Sequence, residues 1–281
     1  MPDIKLFVAC HQPTFVPNHP LLFPIQVGAA LTSERFPGFL YDDTGDNISA
    51  KNRSYCELTA QYWAWKNIDA DYYGFFHYRR YLYPDPTAPK PYRIAKAPSL
   101  QQLEALNFNQ ISAFIEQYDV IAPIAENMHV SVYQQYSTAP FHHSADLEAV
   151  ENILRTQYPQ MVPSMNEYLH GTKQYFGNIF IMRKDLFFYY CEWLFNTLKT
   201  FEQQYDFSFY EGASIRVFGY LAERLLGIWL TSHKSIRTLM LPRIHFETND
   251  FTRSKKRFIN IVFPPSSARR AFAKRIQNHF L

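Results

Sequence analysis

The sequence predicts an α/β fold, a mixed and mostly parallel sheet flanked by helices. Short apolar runs of strand length alternate with longer stretches at helical spacing along most of the chain, the pattern that βαβ units produce. Ile4-Lys5-Leu6-Phe7-Val8-Ala9-Cys10 and Tyr72-Tyr73-Gly74-Phe75-Phe76 are nearly continuous apolar runs, as strands covered on both faces require. Hydrophobic residues make up 47% of the 281 positions and charged ones 19%. That composition supports a large core without disulfides or structural metals.

The elements follow in order. Ile4 to Cys10 reads as a buried first strand, with His11-Gln12-Pro13 as the loop after it. Residues 20–25 are expected to be loop and 26–31 a short helix. Phe39-Leu40-Tyr41 is a brief strand that runs into the polar turn Asp42-Asp43-Thr44-Gly45-Asp46-Asn47. Tyr55 to Lys66 has helical spacing, with Ser54 placed to cap it and Leu58, Tyr62 and Trp65 on one face. A central strand over 71–76 then ends abruptly in His77-Tyr78-Arg79-Arg80. Five prolines within 84–98 mark a surface loop. Helices are expected over 99–117, 146–158, 184–201 and 216–229, and strands over 119–123, 175–182 and 239–242. No linker precedes residue 250, so 1–250 reads as one domain and 251–281 as a tail.

Glycine excludes several function classes. There are nine, and no two lie closer than six positions. That spacing forbids the G-x-G-x-x-G fingerprint, the Walker A loop and the G-x-S-x-G elbow. Cys10, Cys56 and Cys191 are far apart and match no metal spacing, which fits reduced, mostly buried thiols. The N-terminus lacks the basic-then-apolar layout of a signal peptide, and a cytoplasmic protein is expected.

The net charge of +3 is segregated. Eight Lys and Arg and no Asp or Glu fall within 251–281, which leaves residues 1–250 at −5. An acidic body argues against nucleic acid as a partner. In the tail, Ala268, Phe272, Ile276 and Phe280 form an i+4 apolar stripe with basic residues around it. Such a helix suits an anionic membrane surface.

Several groups of residues are suited to chemistry. His77, Arg79 and Arg80 follow an apolar strand directly, and ligands of open α/β sheets bind beyond the carboxyl ends of strands. Two guanidiniums there suit phosphate, because each planar fork can bond two oxygens. Asp42, Asp43 and Asp46, with Asn47, Lys51, Asn52 and Glu57 downstream, offer hard oxygen ligands for a divalent cation or acceptors for sugar hydroxyls. Glu223 shares a helical face with Arg216 and is flanked by Leu221 and Leu225, a setting for a general base. His142, His143 with Asp146, and His245 are further ligands or proton-transfer groups. Asn178 leads an apolar strand and is placed for substrate contact.

The runs Asp42-Asp43-Thr44-Gly45-Asp46-Asn47-Ile48-Ser49, Lys51-Asn52, Tyr55-Cys56-Glu57-Leu58-Thr59 and Tyr62-Trp63-Ala64-Trp65-Lys66-Asn67 resemble the signature of the DUF4422 family. His77-Tyr78-Arg79-Arg80, Asn178-Ile179-Phe180-Ile181-Met182 and Gly219-Tyr220-Leu221-Ala222-Glu223-Arg224-Leu225 resemble it in the same order. The resemblance covers about residues 3–245. It implies a GT-A-like nucleotide-sugar fold and a glycosyltransferase of capsular, exopolysaccharide or O-antigen synthesis.

By that resemblance the donor is a nucleoside-diphosphate sugar, with uridine diphosphate as the expected nucleotide and galactofuranose among the sugars. The acceptor is a glycan or a lipid-linked glycan, met at the membrane surface by the tail. Many GT-A enzymes hold a metal on a D-x-D pair after the strand that His77-Tyr78-Arg79 follows here. With cations in that place, Arg79 and Arg80 are expected to stabilise the leaving diphosphate without a cofactor. Manganese or magnesium at Asp42, Asp43 and Asp46 is the fallback. His77, Asp42, Asp43, Asp46, Asn47 and Asn52 then belong to the donor, Asn178, His143 and Asp146 to the acceptor side, and Glu223 is the base. A nucleotidyl- or phosphotransferase and a glycan-binding scaffold are the competing readings.

Overall fold

The computed structural model describes residues 2–88, 90–96 and 107–247. The basic tail 251–281 lies outside them, as do residues 99–106 of the helix expected over 99–117. In chain order the strands are β1 (Ile4–Cys10), β2 (Leu22–Gln26), β3 (Leu40–Tyr41), β4 (Tyr72–His77), β5 (Arg80–Leu82) and β6 (Tyr92–Lys96). They continue with β7 (Val120–Pro123), β8 (Glu126–Asn127), β9 (Lys173–Gln174), β10 (Phe180–Arg183), β11 (Thr238–Leu241) and β12 (Arg243–Glu247).

The main path of the sheet runs β11-β7-β10-β4-β1-β2-β3. β1 lies parallel to β2 and β4, β2 to β3, and β11 to β7. β10 runs against both its neighbours, β4 and β7. β5 turns back on β4 and pairs with β12, which lies parallel to β6. The mixed, mostly parallel sheet flanked by helices is thus the architecture expected from the sequence. Because β10 is reversed, its amino end joins the carboxyl ends of β7, β4, β1 and β2. One edge therefore collects His11, His77 to Arg80, Gly177 and Asn178.

Alternation along each strand feeds two cores. Phe7, Ala9, Tyr73, Phe75, Val120, Ala122, Phe180 and Met182 face the helices Leu58–Asn67, Ser144–Gln157, Val162–His170, Lys184–Gln204 and Val217–Ser232. Leu6, Val8, Phe76, Ile121, Ile181 and Leu241 face the helix Asn109–Ile115 and the β5–β12 pair. Burying each such Leu, Ile or Phe is worth on the order of 1.5–3 kcal/mol. The high aromatic content is spent between sheet and helices: Tyr73 stacks on Phe187 at 4.5 Å, Phe7 on Phe75 at 5.5 Å and Tyr55 on Phe218 at 4.2 Å.

Three expectations are corrected. Residues 20–25, expected as loop, contain β2 with Pro24 inside it. The Leu21 carbonyl and the Val27 N–H face β1, so Pro24 turns its missing donor toward the other side. β3 reaches only Ile25 and Gln26 there, and nothing is lost. The helix expected over 55–66 is two helices, Asn52–Tyr55 and Leu58–Asn67, broken where Cys56 takes φ 54°. The proline-rich loop 84–98 holds β6.

Close helix packing makes Gly227 irreplaceable. A Cβ there would lie 1.9 Å from Cζ of the buried Tyr168 ring on the helix Val162–His170. Gly227→Ala is expected to cost about 3 kcal/mol or more. Urea unfolding checks this, and a loss below about 1 kcal/mol would mean that Tyr168 has another rotamer available.

Candidate active site

The turn between β4 and β5 is clamped on both sides. The Tyr78 N–H donates to the Ala9 carbonyl at 3.1 Å, and the Phe246 N–H donates to the Arg79 carbonyl at 2.8 Å. The Arg79 N–H donates to His77 Nδ1 at 3.4 Å. The His11 ring stands edge-on to Tyr78 at 5.0 Å and lies 6.2 Å from His77. β1 and β4 are in register with Ala9 opposite His77, so His11, two residues beyond Ala9, stands just past His77 at the same end of the sheet.

The charges here are not balanced by contact. Burial, and then Arg80 and Arg79, hold His77 well below the usual histidine range. Burial, Arg79 and Arg216 lower His11. Burial also lowers Arg80, opposed by Glu223 and Glu57, yet a guanidinium stays protonated. Among the described residues, neither Arg79 nor Arg80 has a carboxylate within ion-pair distance. Arg79 Nε is buried with no hydrogen-bond partner, and its guanidinium lies 5.0 Å over the Tyr78 ring. Two such arginines side by side are costly unless an anion meets them.

The facing wall comes from the helices. Glu57 follows the break at Cys56, and its Oε1 accepts from Asn178 Nδ2 at 2.8 Å. Asn178 is buried at φ 50° and also donates to the Gly219 carbonyl at 3.1 Å, while its Oδ1 is buried without a partner. Burial raises the Glu57 carboxyl, and the neighbouring Glu223 adds to this against the pull of Asn178 and Arg80. Glu223 Oε1 accepts from the Gly177 N–H at 2.6 Å, and Oε2 from Arg224 at 3.0 Å. Arg224 is only 1% exposed and is held by Gln135 at 2.6 Å, the Tyr220 carbonyl at 3.0 Å and the face of Tyr136. Arg243 and Glu126 form an ion pair beyond it.

The acidic turn is built differently from its sequence pattern. Asp42 is buried and accepts from the Gly28 N–H at 2.8 Å, the Ala29 N–H at 3.0 Å, Ser49 Oγ at 2.5 Å and Thr59 Oγ1 at 2.6 Å. It ties the ends of β2 and β3 to the helix Leu58–Asn67. Asp42→Asn turns one oxygen into a donor among these donors and is expected to cost about 2 kcal/mol, read as a lower unfolding midpoint in urea. Asp43 pairs with Arg35 at 2.7 Å, and Asp46 accepts from Tyr62 Oη at 3.2 Å. Asn47 spans Gly45 and Ser49, and Asn52 donates to the Cys56 carbonyl at 2.7 Å. The three aspartates turn to three different sets of partners. Among the described residues no group of three or more His, Cys, Asp or Glu is arranged to hold a metal, so the fallback metal set does not fit.

His142 and His143 belong to another group, away from the strand ends. His143 stacks on Tyr210 at 4.4 Å, and Tyr210 Oη donates to Asp146 Oδ1 at 2.6 Å. Burial raises the Asp146 carboxyl. His142 stacks on Tyr136 at 4.6 Å, and burial and Arg224 push it down to about 3. His245 lies opposite Arg80 in the β12–β5 register.

The family model of a domain of unknown function, DUF4422, matches residues 5–234. The chain belongs to this family. Among solved structures it is similar to the apo form of WbbM, a bifunctional glycosyltransferase, with a TM-score of 0.82 and 30% identity. The match covers 88% of this chain and 46% of that one, so the chain spans about half the length of that protein. No curated protein matches. Within this family fold, His77, Arg79, Arg80, Asn178 and Glu223 come to one edge of the sheet, while His143 and Asp146 keep to the Tyr210 group. The sequence gives no role to His11, Arg216 or Arg224, and it groups Glu57 with the acidic turn although the structure sets it against Asn178. His11 had a signal, since it closes its apolar strand as His77 closes the next.

Proposed function

We propose that the chain transfers a sugar from a nucleoside-diphosphate donor, with uridine diphosphate as the nucleotide, to a hydroxyl of a cell-surface glycan. The observation that carries this reading is the pair Arg79 and Arg80 at the carboxyl edge of the sheet, two guanidiniums with no carboxylate within ion-pair distance among the described residues. Likeness to a bifunctional glycosyltransferase supports it. In the step, the acceptor oxygen bonds to the anomeric carbon as the bond from that carbon to the diphosphate oxygen breaks. The diphosphate leaves with the electron pair, and Arg79 and Arg80 meet its charge. Neutral His77 orients a phosphate or sugar oxygen. Glu223 takes the acceptor proton, and Asp43 and Asp46 keep carboxylate oxygens for donor hydroxyls.

Arginines at the leaving group make a metal unnecessary, so turnover is expected to survive EDTA; loss in EDTA with recovery on manganese contradicts this. A thermal-shift panel of UDP, GDP, UDP-sugars and free sugars tests the donor. Stabilisation by UDP and a UDP-sugar is expected. Stabilisation by free sugars alone would make the chain a glycan-binding module. Among the described residues no helix is long and apolar enough to cross a membrane, and the basic tail is proposed to bring the chain to an anionic bilayer. Equal flotation of chains 1–281 and 1–250 with anionic liposomes would overturn that.

A further inference from the structure

We propose that Arg216 is a third cation of the donor site, bonding the terminal phosphate of the nucleoside diphosphate from the wall opposite Arg79 and Arg80. The inference rests on the donor reading above. Arg216 ends the 3-10 turn Gly212–Arg216 and stands at the start of the helix Val217–Ser232. It is exposed, and among the described residues no carboxylate lies within ion-pair distance of it. An exposed arginine without a partner is ordinary; one that is pinned in place is not, because holding that side chain costs up to about 2 kcal/mol of rotamer entropy.

Arg216 is pinned by a thiol. Its Nε donates to Cys56 Sγ at 3.3 Å, and burial pushes that thiol up to about 11, so it stays neutral and offers no counter-charge. The contact depends on local backbone choices. Cys56 sits at φ 54° in the break between two helices, and Gly219 lets the thiol approach: a Cβ there would lie 3.3 Å from Sγ. The bond uses Nε and leaves both terminal amino groups of the fork for a ligand.

The thiol that holds Arg216 precedes Glu57, which accepts from Asn178 at the sheet edge, so Arg216 stands on the helix wall that faces the strand ends. The charges of Arg216 and Arg79 both bear on His11, and Glu57 bears on Arg216. Three guanidiniums around neutral imidazoles repel one another. A diphosphate carries enough negative charge to join them, and it enters between the sheet edge and the helix wall.

Calorimetric titration of UDP and UMP into the full chain tests the assignment. Arg216→Ala is expected to weaken UDP about tenfold to a hundredfold, as loss of a charged hydrogen bond does, and to change UMP less than about threefold. Arg216→Lys should recover part of the loss, and Arg216→Gln, which keeps amide donors but neither the charge nor the reach, should not. Unchanged UDP affinity, or equal losses for UDP and UMP, overturns the proposal. A lipid diphosphate has the same chemistry, so farnesyl diphosphate is the third ligand. Loss confined to it would put Arg216 on the acceptor and also overturn the proposal. Wild-type protein that binds no UDP refutes the donor reading itself, a result visible before any substitution is made.

Discussion

Arg80→Ala is expected to lower turnover by about a hundredfold to a thousandfold, the effect of removing one preorganised donor from a developing anion. The side chain is positioned by the sheet, since Arg80 opens β5 opposite both His77 and His245. Two carboxylates, Glu223 and Glu57, act on its charge without reaching ion-pair distance. Removal therefore has a second, pH-dependent consequence. Glu57 is raised in the folded protein, by burial first and by Glu223 further on, and Arg80 opposes that rise. A carboxyl raised on folding favours the native state while protonated and opposes it as pH rises through its folded value. Without Arg80 that value climbs further. The variant should be less stable than wild type at pH 8 and approach it as pH falls toward the ordinary value of 4.5. Thermal melts at the two ends of this range separate the structural loss from the catalytic one. Arg80→Lys keeps the charge without the fork and should fall between wild type and alanine in turnover. Near-normal rates for Arg80→Ala would refute the leaving-group role.

The difference between what was legible in the sequence and what was not follows from range. β1, β4, β7 and the helices over 144–157, 184–204 and 217–232 are carried by local apolar periodicity, and such signals need no partner to be read. β2, β5, β6 and β12 exist because of pairing across the chain. β12 lies between β5 and β6, whose residues come more than a hundred positions earlier. Glu57 and Asn178 meet over 121 positions and Arg216 and Cys56 over 160, distances that no spacing rule spans. Asp42 shows the opposite failure. An acidic cluster reads as a ligand set, yet four inward donors make Asp42 a tie between strands and helix. Arg79 and Arg80 were legible because two charges after a buried strand are conspicuous whatever surrounds them.

Glu223→Gln tests the other half of the mechanism. The carboxylate is fixed from both sides, by the Gly177 N–H on Oε1 and by Arg224 on Oε2. Each oxygen has a second lone pair, and one is left to receive the acceptor proton. Glutamine keeps the shape and one carbonyl oxygen but is no base at neutral pH. Turnover should fall about a hundredfold to ten-thousandfold, while UDP affinity stays within about twofold of wild type, since Glu223 touches no phosphate in this scheme. That combination separates Glu223 from Arg79 and Arg80, whose loss weakens the diphosphate itself. The new amide turns a donor toward Arg224, so a stability loss of about 1–3 kcal/mol is expected too. Rates are therefore compared at a temperature where both proteins are folded. A variant that keeps more than about a tenth of wild-type turnover would exclude Glu223 as the base. The role would then pass to Glu57, the other carboxylate beside Arg80, where Asn178 bonds one oxygen. Glu57→Gln would then show the loss that Glu223→Gln did not.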